Sequence, residues 1–373
     1  MNLRAHALPL GLLLLVPLAP ALHYLSTNSP VWTFLAGAVG IGVLADWARR
    51  ATEQLAAKTN AAIGGLLNVS FGSIAEIVLA FFVLASGKPE VVRAQIAGSI
   101  IGTGLLGLGL AIVVGSIGRP RLLFNRNQAG QLSSLLVLAV IALLLPAVFD
   151  VASRHLAPGA NQAVSDEHLS LGVSVVLILL YAANLVYTLV THRNVFSPEE
   201  EVRSDNATGK EPGKAAEWTV MVAVGVLVTA TVFIAMEAEL VSGALEDTSK
   251  VLGLSPVFVG VILLAVIGTA SDLFAASWFA RQGKMGLALN ICVGSAIQVA
   301  LVVAPLLVIG SWFMNKPMNL VFDNPLALFA IASAVLVVNN IARDGETTWF
   351  EGVLLLGVYL LLALAFLFSP SIA

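Results

Sequence analysis

Two related stretches decide the fold of this chain: residues 72–76 read GSIAE, and residues 268–272 read GTASD. The offset between them is 196 residues. The same offset pairs Gly87-Lys88 with Gly283-Lys284 and Gly98-Ser99 with Gly294-Ser295. Chance alone produces single glycine matches in a chain with 32 glycines, but it does not produce an acid, a Gly-Lys and a Gly-Ser at one offset. The sequence therefore contains an internal repeat.

The repeat lies in a chain whose composition suits lipid rather than water. Of the 373 residues, 58% are hydrophobic and 11% are charged, whereas soluble domains carry about 25% charged residues. A membrane-spanning helix needs about 20 apolar residues, and the sequence predicts eleven such helices. They cover about residues 7–25, 31–52, 61–86, 91–117, 128–149, 169–191, 217–245, 256–280, 286–313, 325–342 and 348–369.

The repeat and the helices together predict the organisation of the chain. The offset places helix 3 on helix 8 and helix 4 on helix 9, so helices 2–6 and 7–11 form two units. Five is an odd number, so the second unit enters the membrane the opposite way round, as in many secondary transporters. We expect an all-α membrane protein with an N-terminal helix (1–30), a first five-helix repeat (31–191), a solvated cytoplasmic linker (192–216) and a second, inverted five-helix repeat (217–373).

Charge in the loops predicts the orientation. Most of the 19 Lys and Arg residues fall on one side, notably in the loops at 49–58, 119–126 and 193–214, and that side is expected to face the cytoplasm. The N-terminus is then cytoplasmic and the C-terminus outside. The short loops favour a bacterial inner membrane. Residues 4–21 also resemble a signal peptide, so cleavage of helix 1 stays open as an alternative.

Two acidic residues at equivalent positions of the repeat, Glu76 and Asp272, are predicted to lie near the middle of the membrane. A charge at that depth costs a few kcal/mol or more. Either each acid is protonated and merely hydrogen-bonded, or the two form a cation site where the repeats meet. Their equivalent positions favour the cation site. Other acids, among them Asp46, Glu53 and Glu237, are predicted near helix ends and interpreted as interfacial anchors or as lining of an entry path.

The residues around the two acids fit calcium, which takes six to eight oxygen ligands with loose geometry. No His or Cys ligand set exists for a softer metal, and the one cysteine is Cys292. Carboxylates also bind protons, so protons and metal would compete for one site, which is the minimal requirement for antiport. Further oxygens are predicted from the hydroxyls of Ser73, Thr269, Ser99 and Ser295, the amide of Gln298, and backbone carbonyls around Gly72 and Gly268.

Four stretches carry a resemblance to a known family: residues 64–76 (GGLLNVSFGSIAE), 240–246 (LVSGALE), 294–298 (GSAIQ) and 344–353 (DGETTWFEGV). At these motifs the chain resembles the calcium/proton exchanger family of the calcium/cation antiporter superfamily. The resemblance implies one extra helix followed by two inverted five-helix halves, with binding acids at Glu76 and Asp272. It also implies that Ser73 and Thr269 stand where family members carry Asn, and that Asp272 stands where they carry the longer Glu.

The predicted function is secondary active antiport of a cation, with Ca²⁺ favoured, for H⁺ by alternating access. The alternatives are exchange of Na⁺, K⁺, Mg²⁺ or Mn²⁺, or a membrane scaffold or sensor that does not transport. An intramembrane enzyme is not expected, because the five His residues fall at helix ends or in loops and no Gly-x-Gly-Asp occurs. A primary pump is disfavoured because there is no P-loop. We expect no cofactor besides the transported ion and no nucleic-acid partner. The lipid bilayer is the expected surroundings, and a homo-oligomer is left open.

Overall fold

The computed structural model describes residues 12–25, 30–59, 64, 67, 71–156, 162–188, 218–322 and 324–369. This part of the chain is almost entirely helical. A short 3₁₀ turn at Leu13–Leu15 precedes the first helix. The helices are α1 (Leu18–Leu25), α2 (Pro30–Ala56), α3 (Ile74–Ala85), α4 (Pro89–Gly115), α5 (Arg126–Leu156), α6 (Gln162–Val186), α7 (Val220–Leu252), α8 (Pro256–Arg281), α9 (Met285–Phe313), α10 (Pro325–Ala342) and α11 (Trp349–Leu367).

The eleven helices correspond one for one to the predicted ones. Within the described ranges, nine are long and apolar enough to cross a membrane, and two apolar helices are shorter, at Leu13–His23 and Ile74–Ala85. A chain in lipid must satisfy its backbone hydrogen bonds internally, so apolar runs of this length fold as helices. Proline occupies the first position of α2, α4, α8 and α10, where its missing N–H would have no helical partner.

The structure repeats itself at the offset found in the sequence. The turns after α3 and α8 have the same conformation, with Gly87 at φ 80° and Gly283 at φ 85°, a left-handed region that favours glycine. The following lysines, Lys88 (φ −117°, ψ 62°) and Lys284 (φ −97°, ψ 61°), begin α4 and α9 alike. π-helical segments then interrupt α4 at Gly102–Gly107 and α9 at Val299–Val303, which are also equivalent positions.

The two repeats meet along α4 and α8, whose backbones touch. A Cβ added to Gly260 would lie 2.6 Å from the Cβ of Ala94 and 2.7 Å from the carbonyl oxygen of Val91, and one added to Gly98 would collide with the backbone of Val261. Small residues are what allow membrane helices to approach so closely. Helices α2 and α7, the first of each repeat, share the largest helix–helix contact among the described elements.

A small polar cluster ties three loops together at one end of the bundle. Strand β1 (Leu122–Leu123) pairs antiparallel with β2 (Glu346–Thr347), and Arg121 forms an ion pair of 3.2 Å with Glu346. Arg119 donates to the carbonyl of Arg281 at 3.0 Å. The end of α4, the end of α8 and the start of α11 are thereby held in fixed positions.

Two of the sequence predictions fall outside the described residues. The linker predicted at 192–216 is one, and the first part of predicted helix 1 is the other. The predicted helix at 61–86 is described as a helix only from Ile74. By contrast, helix α7 is longer than predicted and ends at Leu252, not at residue 245. Glu237 therefore lies near the middle of α7, and its interpretation as a helix-end anchor is wrong.

Candidate functional site

Glu76 lies in the first turn of α3 and is buried, with 3% of its surface exposed. Neither of its carboxylate oxygens has a hydrogen-bond partner among the described residues. A helix N-terminus favours negative charge, but it does not replace the hydration that a buried carboxylate loses. Glu76 is thus a deeply buried acid that requires a proton or a cation from elsewhere.

Asp272 approaches Glu76 from the other repeat. It lies within α8, one turn after Gly268. A Cβ at Gly268 would lie 2.9 Å from Cγ of Glu76, so the absence of a side chain there lets Glu76 pack directly against α8. The spacing of four residues corresponds to about 6 Å along the helix, and the two carboxylates are close enough to repel each other.

Each acid has its own serine, and the two serines are equivalent in the repeat. The Ser99 hydroxyl of α4 lies beside Glu76, and the Ser295 hydroxyl of α9 lies beside Asp272. Ser295 Oγ is buried and has no hydrogen-bond partner in the described structure. The predicted pseudo-twofold arrangement is therefore present in the side chains as well as in the helices.

The remaining predicted ligands differ in what they contact. Ser73 Oγ donates to Oε1 of Gln298 at 3.2 Å, which joins α3 to α9 beside Glu76. Thr269 is fully buried and donates to the carbonyl of Ala265 at 2.8 Å, so its proton is engaged while its oxygen can still accept. Gly72 precedes Ser73 in the half-buried turn before α3.

The backbone of α8 differs from the expectation of a helix opened at Gly268. Helix α8 is regular from Ala265 to Arg281, and its departure from α-helical hydrogen bonding is the π-helical segment Val259–Leu264. The described contacts of Gly268 are with Glu76. Its contribution in the structure is therefore close packing.

Gln95 is a polar residue of the site that the sequence analysis missed. It is 2% exposed, and it lines a small cavity of about 10 Å³ together with Glu76 and Ser99, near the lower limit for one water. Its Oε1 has no hydrogen-bond partner among the described residues. The feature of the sequence that could have identified Gln95 is a lone amide inside an apolar helix. The internal repeat gave no indication of it, because the equivalent position in the second repeat is Ile291.

A charged cluster on α2 was also missed as a neighbour of the pair. Arg49 pairs with Asp46 at 2.9 Å and with Glu53, and Arg50 pairs with Asp46 at 2.7 Å. Arg49 attracts the Asp272 carboxylate, and Glu53 repels it. The two acids of the pair therefore differ in electrostatics, since among the residues that the structure describes a neighbouring cation is found for Asp272 and not for Glu76.

Beyond this pair, the described residues contain no group of three or more His, Cys, Asp or Glu side chains placed to hold a metal ion. Two carboxylates surrounded by hydroxyl and amide oxygens make a site for a hard cation. The family model described as "sodium/calcium exchanger protein" matches residues 29–190 and 222–368 of this chain. The chain belongs to this family.

Individual relatives agree with the assignment. A Ca²⁺/H⁺ antiporter of Aphanothece halophytica is 39% identical over 368 residues, which is 97% of this chain and 96% of the relative. The Ca²⁺/H⁺ antiporter ChaA of Bacillus subtilis is 40% identical over 329 residues, or 88% of this chain and 90% of ChaA. The resemblance found in the sequence is confirmed, and the chain is a multi-pass membrane protein of a transporter family.

Solved structures agree with the fold. The structure of native YfkE matches with a TM-score of 0.79 at 34% identity, covering 95% of this chain and 97% of that one. The crystal structure of the H⁺/Ca²⁺ exchanger CAX matches with a TM-score of 0.68 at 16% identity, covering 96% and 91% of the two chains. The predicted fold of one extra helix and two inverted five-helix repeats is confirmed.

Proposed function

We propose that this protein exchanges Ca²⁺ for H⁺ across a membrane, with Glu76 and Asp272 binding both ions in alternation. The observation that carries the proposal is the pair itself. One acid from each repeat, Glu76 buried and Asp272 half-buried, lies beside its own equivalent serine, and the two acids meet across the contact between α3 and α8. The names of the relatives, which are Ca²⁺/H⁺ antiporters, support the same pair of ions.

Charge balance explains why such a pair would exchange ions. One divalent cation neutralises two carboxylates, and so do two protons. Two bare carboxylates at this depth would cost several kcal/mol or more. The protein therefore passes between the calcium-loaded and the proton-loaded state without a stable empty state, and this makes exchange obligatory. Oxygens of Ser73, Ser99, Ser295, Thr269 and Gln298 complete the coordination of the cation.

Alternating access follows from the position of the site between two inverted repeats. The loop charges orient the N-terminus and residues 192–216 toward the cytoplasm and the C-terminus outside. The two repeats then comprise residues 31–191 and 217–373, joined by the linker. In a bacterial cell this orientation belongs to the inner membrane.

The test is ion flux in proteoliposomes with an imposed pH gradient. Wild-type protein is expected to release protons in response to Ca²⁺, and Glu76→Gln and Asp272→Asn are each expected to abolish this release while remaining folded. Glu90→Gln, at an exposed acid at the start of α4, is the matched control and should retain full flux. Wild-type flux by both site variants would contradict the site.

A panel of cations in the same assay separates the alternatives. Proton release driven by Na⁺, K⁺, Mg²⁺ or Mn²⁺ in place of Ca²⁺ would keep the mechanism and change the ion. Absence of flux for every cation tested, with folded protein in the vesicles, would favour a scaffold or sensor.

A further inference from the structure

A second buried acid, Glu237, lies on α7 outside the Glu76–Asp272 pair. Helix α7 runs from Val220 to Leu252, so Glu237 is more than about 20 Å from either end of the helix at 1.5 Å per residue. Only 1% of its surface is exposed. Its Oε2 atom has no hydrogen-bond partner among the described residues.

The carboxyl group of Glu237 lies in a notch formed by two glycines of α2. A Cβ at Gly40 would lie 3.2 Å from Cδ of Glu237, and one at Gly37 would lie 3.3 Å from its Oε2. A Cβ at Gly37 would also lie 2.6 Å from Val241. The acid therefore fills a close-packed part of the α2–α7 contact.

No neighbouring charge compensates Glu237. Among the described residues its electrostatic environment is set by burial alone. The acids and bases of α2 begin with Asp46, six residues or about 9 Å beyond Gly40, and they pair with one another. Among the described side chains, the titratable or charged groups of the helices packed on α7 belong to Asp46, Arg49, Arg50 and Glu53 of α2, Glu76 of α3 and His23 of α1.

We propose that Glu237 is a second proton-binding site, separate from the Glu76–Asp272 pair. It holds a proton while α2 and α7 are packed as in this structure, and it releases the proton only when the two helices separate or water enters between them. An ionised carboxylate would lose its whole hydration here, whereas a neutral acid loses only its hydrogen bonds. The inference does not depend on which cation the protein carries.

Helix α2 also connects this site to the cation pair. Two residues after Gly40, a Cβ at Gly42 would contact Ala270 of α8 at 3.6 Å, and Ala270 lies between Gly268 and Asp272. Any separation of α2 from α7 that frees the Glu237 proton therefore moves a helix that packs on the cation site.

Infrared spectroscopy of the full-length protein in phosphatidylcholine nanodiscs tests the proposal directly. The wild-type spectrum minus that of Glu237→Gln is expected to contain a carbonyl stretch of a protonated carboxylic acid at neutral pH. Saturating Ca²⁺ should leave this band in place. Glu246→Gln, nine residues along the same helix at an acid that pairs with Lys250 at 2.7 Å and with Lys88 at 3.3 Å, is the control and should remove no such band.

Several results would overturn the proposal. If the Glu237→Gln variant lost no band, the acid would be ionised in the wild type. If the band disappeared on adding Ca²⁺, Glu237 would belong to the cation site. Glu237→Met is the second neutral variant of similar length. If neither neutral variant folds, the carboxylate is needed as an anion. None of these measurements depends on transport, so their outcome can be told apart from a failure of the proposed exchange.

Thermal unfolding adds an independent readout. A group that keeps its proton in the folded state and loses it on unfolding makes stability fall as pH rises. Raising the pH from about 5, just above the pKa of an exposed glutamate, to neutral should therefore lower the unfolding temperature of the wild type more than that of Glu237→Gln. Equal shifts in the two proteins would contradict the proposal.

Discussion

Gly268→Ala is the change that probes the candidate site most directly, because Gly268 is where the two repeats touch. The added Cβ would lie 2.9 Å from Cγ of Glu76, and ordinary contact begins at 3.4 Å. Either Glu76 or α8 must therefore move by about 0.5 Å, the difference between these two distances. Glu76 is the more mobile partner, because Cγ lies part-way along its side chain, and its carboxylate would be pushed away from Asp272.

Two energies of opposite sign determine the effect on stability. Overpacking of this kind costs about 1–3 kcal/mol. Replacing glycine by alanine within a helix contributes about 0.5–1 kcal/mol in the other direction. The net loss of stability is then at most about 2.5 kcal/mol, so the variant is expected to fold. The displaced carboxylate weakens cation binding, and every 1.4 kcal/mol lost from it is about a tenfold loss of affinity.

The assay is the Ca²⁺ concentration dependence of proton release in proteoliposomes, together with thermal unfolding. Gly268→Ala should need at least about ten times more Ca²⁺ for half-maximal release, the factor that corresponds to about 1.4 kcal/mol. Gly225→Ala on α7, where an added Cβ meets nothing within 4 Å, is the control and should leave the Ca²⁺ dependence unchanged. An unchanged Ca²⁺ dependence in Gly268→Ala would refute the placement of Glu76 against α8.

The other predictions concern the symmetry of the site, its acids and the topology. Ser99→Ala and Ser295→Ala should each raise the Ca²⁺ concentration needed for half-maximal proton release, by factors within about threefold of each other, or about 0.6 kcal/mol. An effect of only one would break the proposed equivalence. Asp272→Glu restores the longer acid that the family resemblance implies and should keep or raise Ca²⁺ flux. Acidifying the medium on the uptake side should reduce uptake in wild type, because protons compete for both carboxylates as a pair; flux independent of pH would exclude this competition. A reporter fused after Ala373 should lie outside the cytoplasm and one placed at Asn206 inside, and finding both on one face would contradict the odd helix count.

The fold could be predicted because its main determinants are local in sequence. Apolar runs of membrane length give the helices, and the 196-residue offset gives the inverted repeat without any knowledge of packing. The offset also predicts details that only the structure makes visible, such as the matched conformations at Gly87 and Gly283. The π-helical segments of α4 and α9 could not be predicted, because they depend on how neighbouring helices pack.

The candidate site could be predicted only as far as the repeat extends. Glu76, Asp272 and the two serines are related by the offset, and these residues do lie together. Gln95 and Arg49 have no acid, amide or base at the equivalent position, so nothing in the pattern connected them with the site. Glu237 was misplaced for a different reason. Helix α7 continues seven residues beyond the predicted end, and the depth of a residue in the membrane was measured from that end, so an error in the end becomes an error in the depth.

The two acids of the pair are equivalent in sequence position but not in surroundings, and this difference bears on how exchange proceeds. Asp272 is half-buried and lies in the field of Arg49, which compensates part of its charge. Glu76 is buried, and among the described residues it has the hydroxyls of Ser99 and Ser73 beside it but no cation. The ionised state is therefore harder to sustain at Glu76 than at Asp272 when no cation is bound. In the proposed exchange, Asp272 is then the acid at which an arriving cation first finds a negative charge, and Glu76 gives up its proton only as the cation moves in between them.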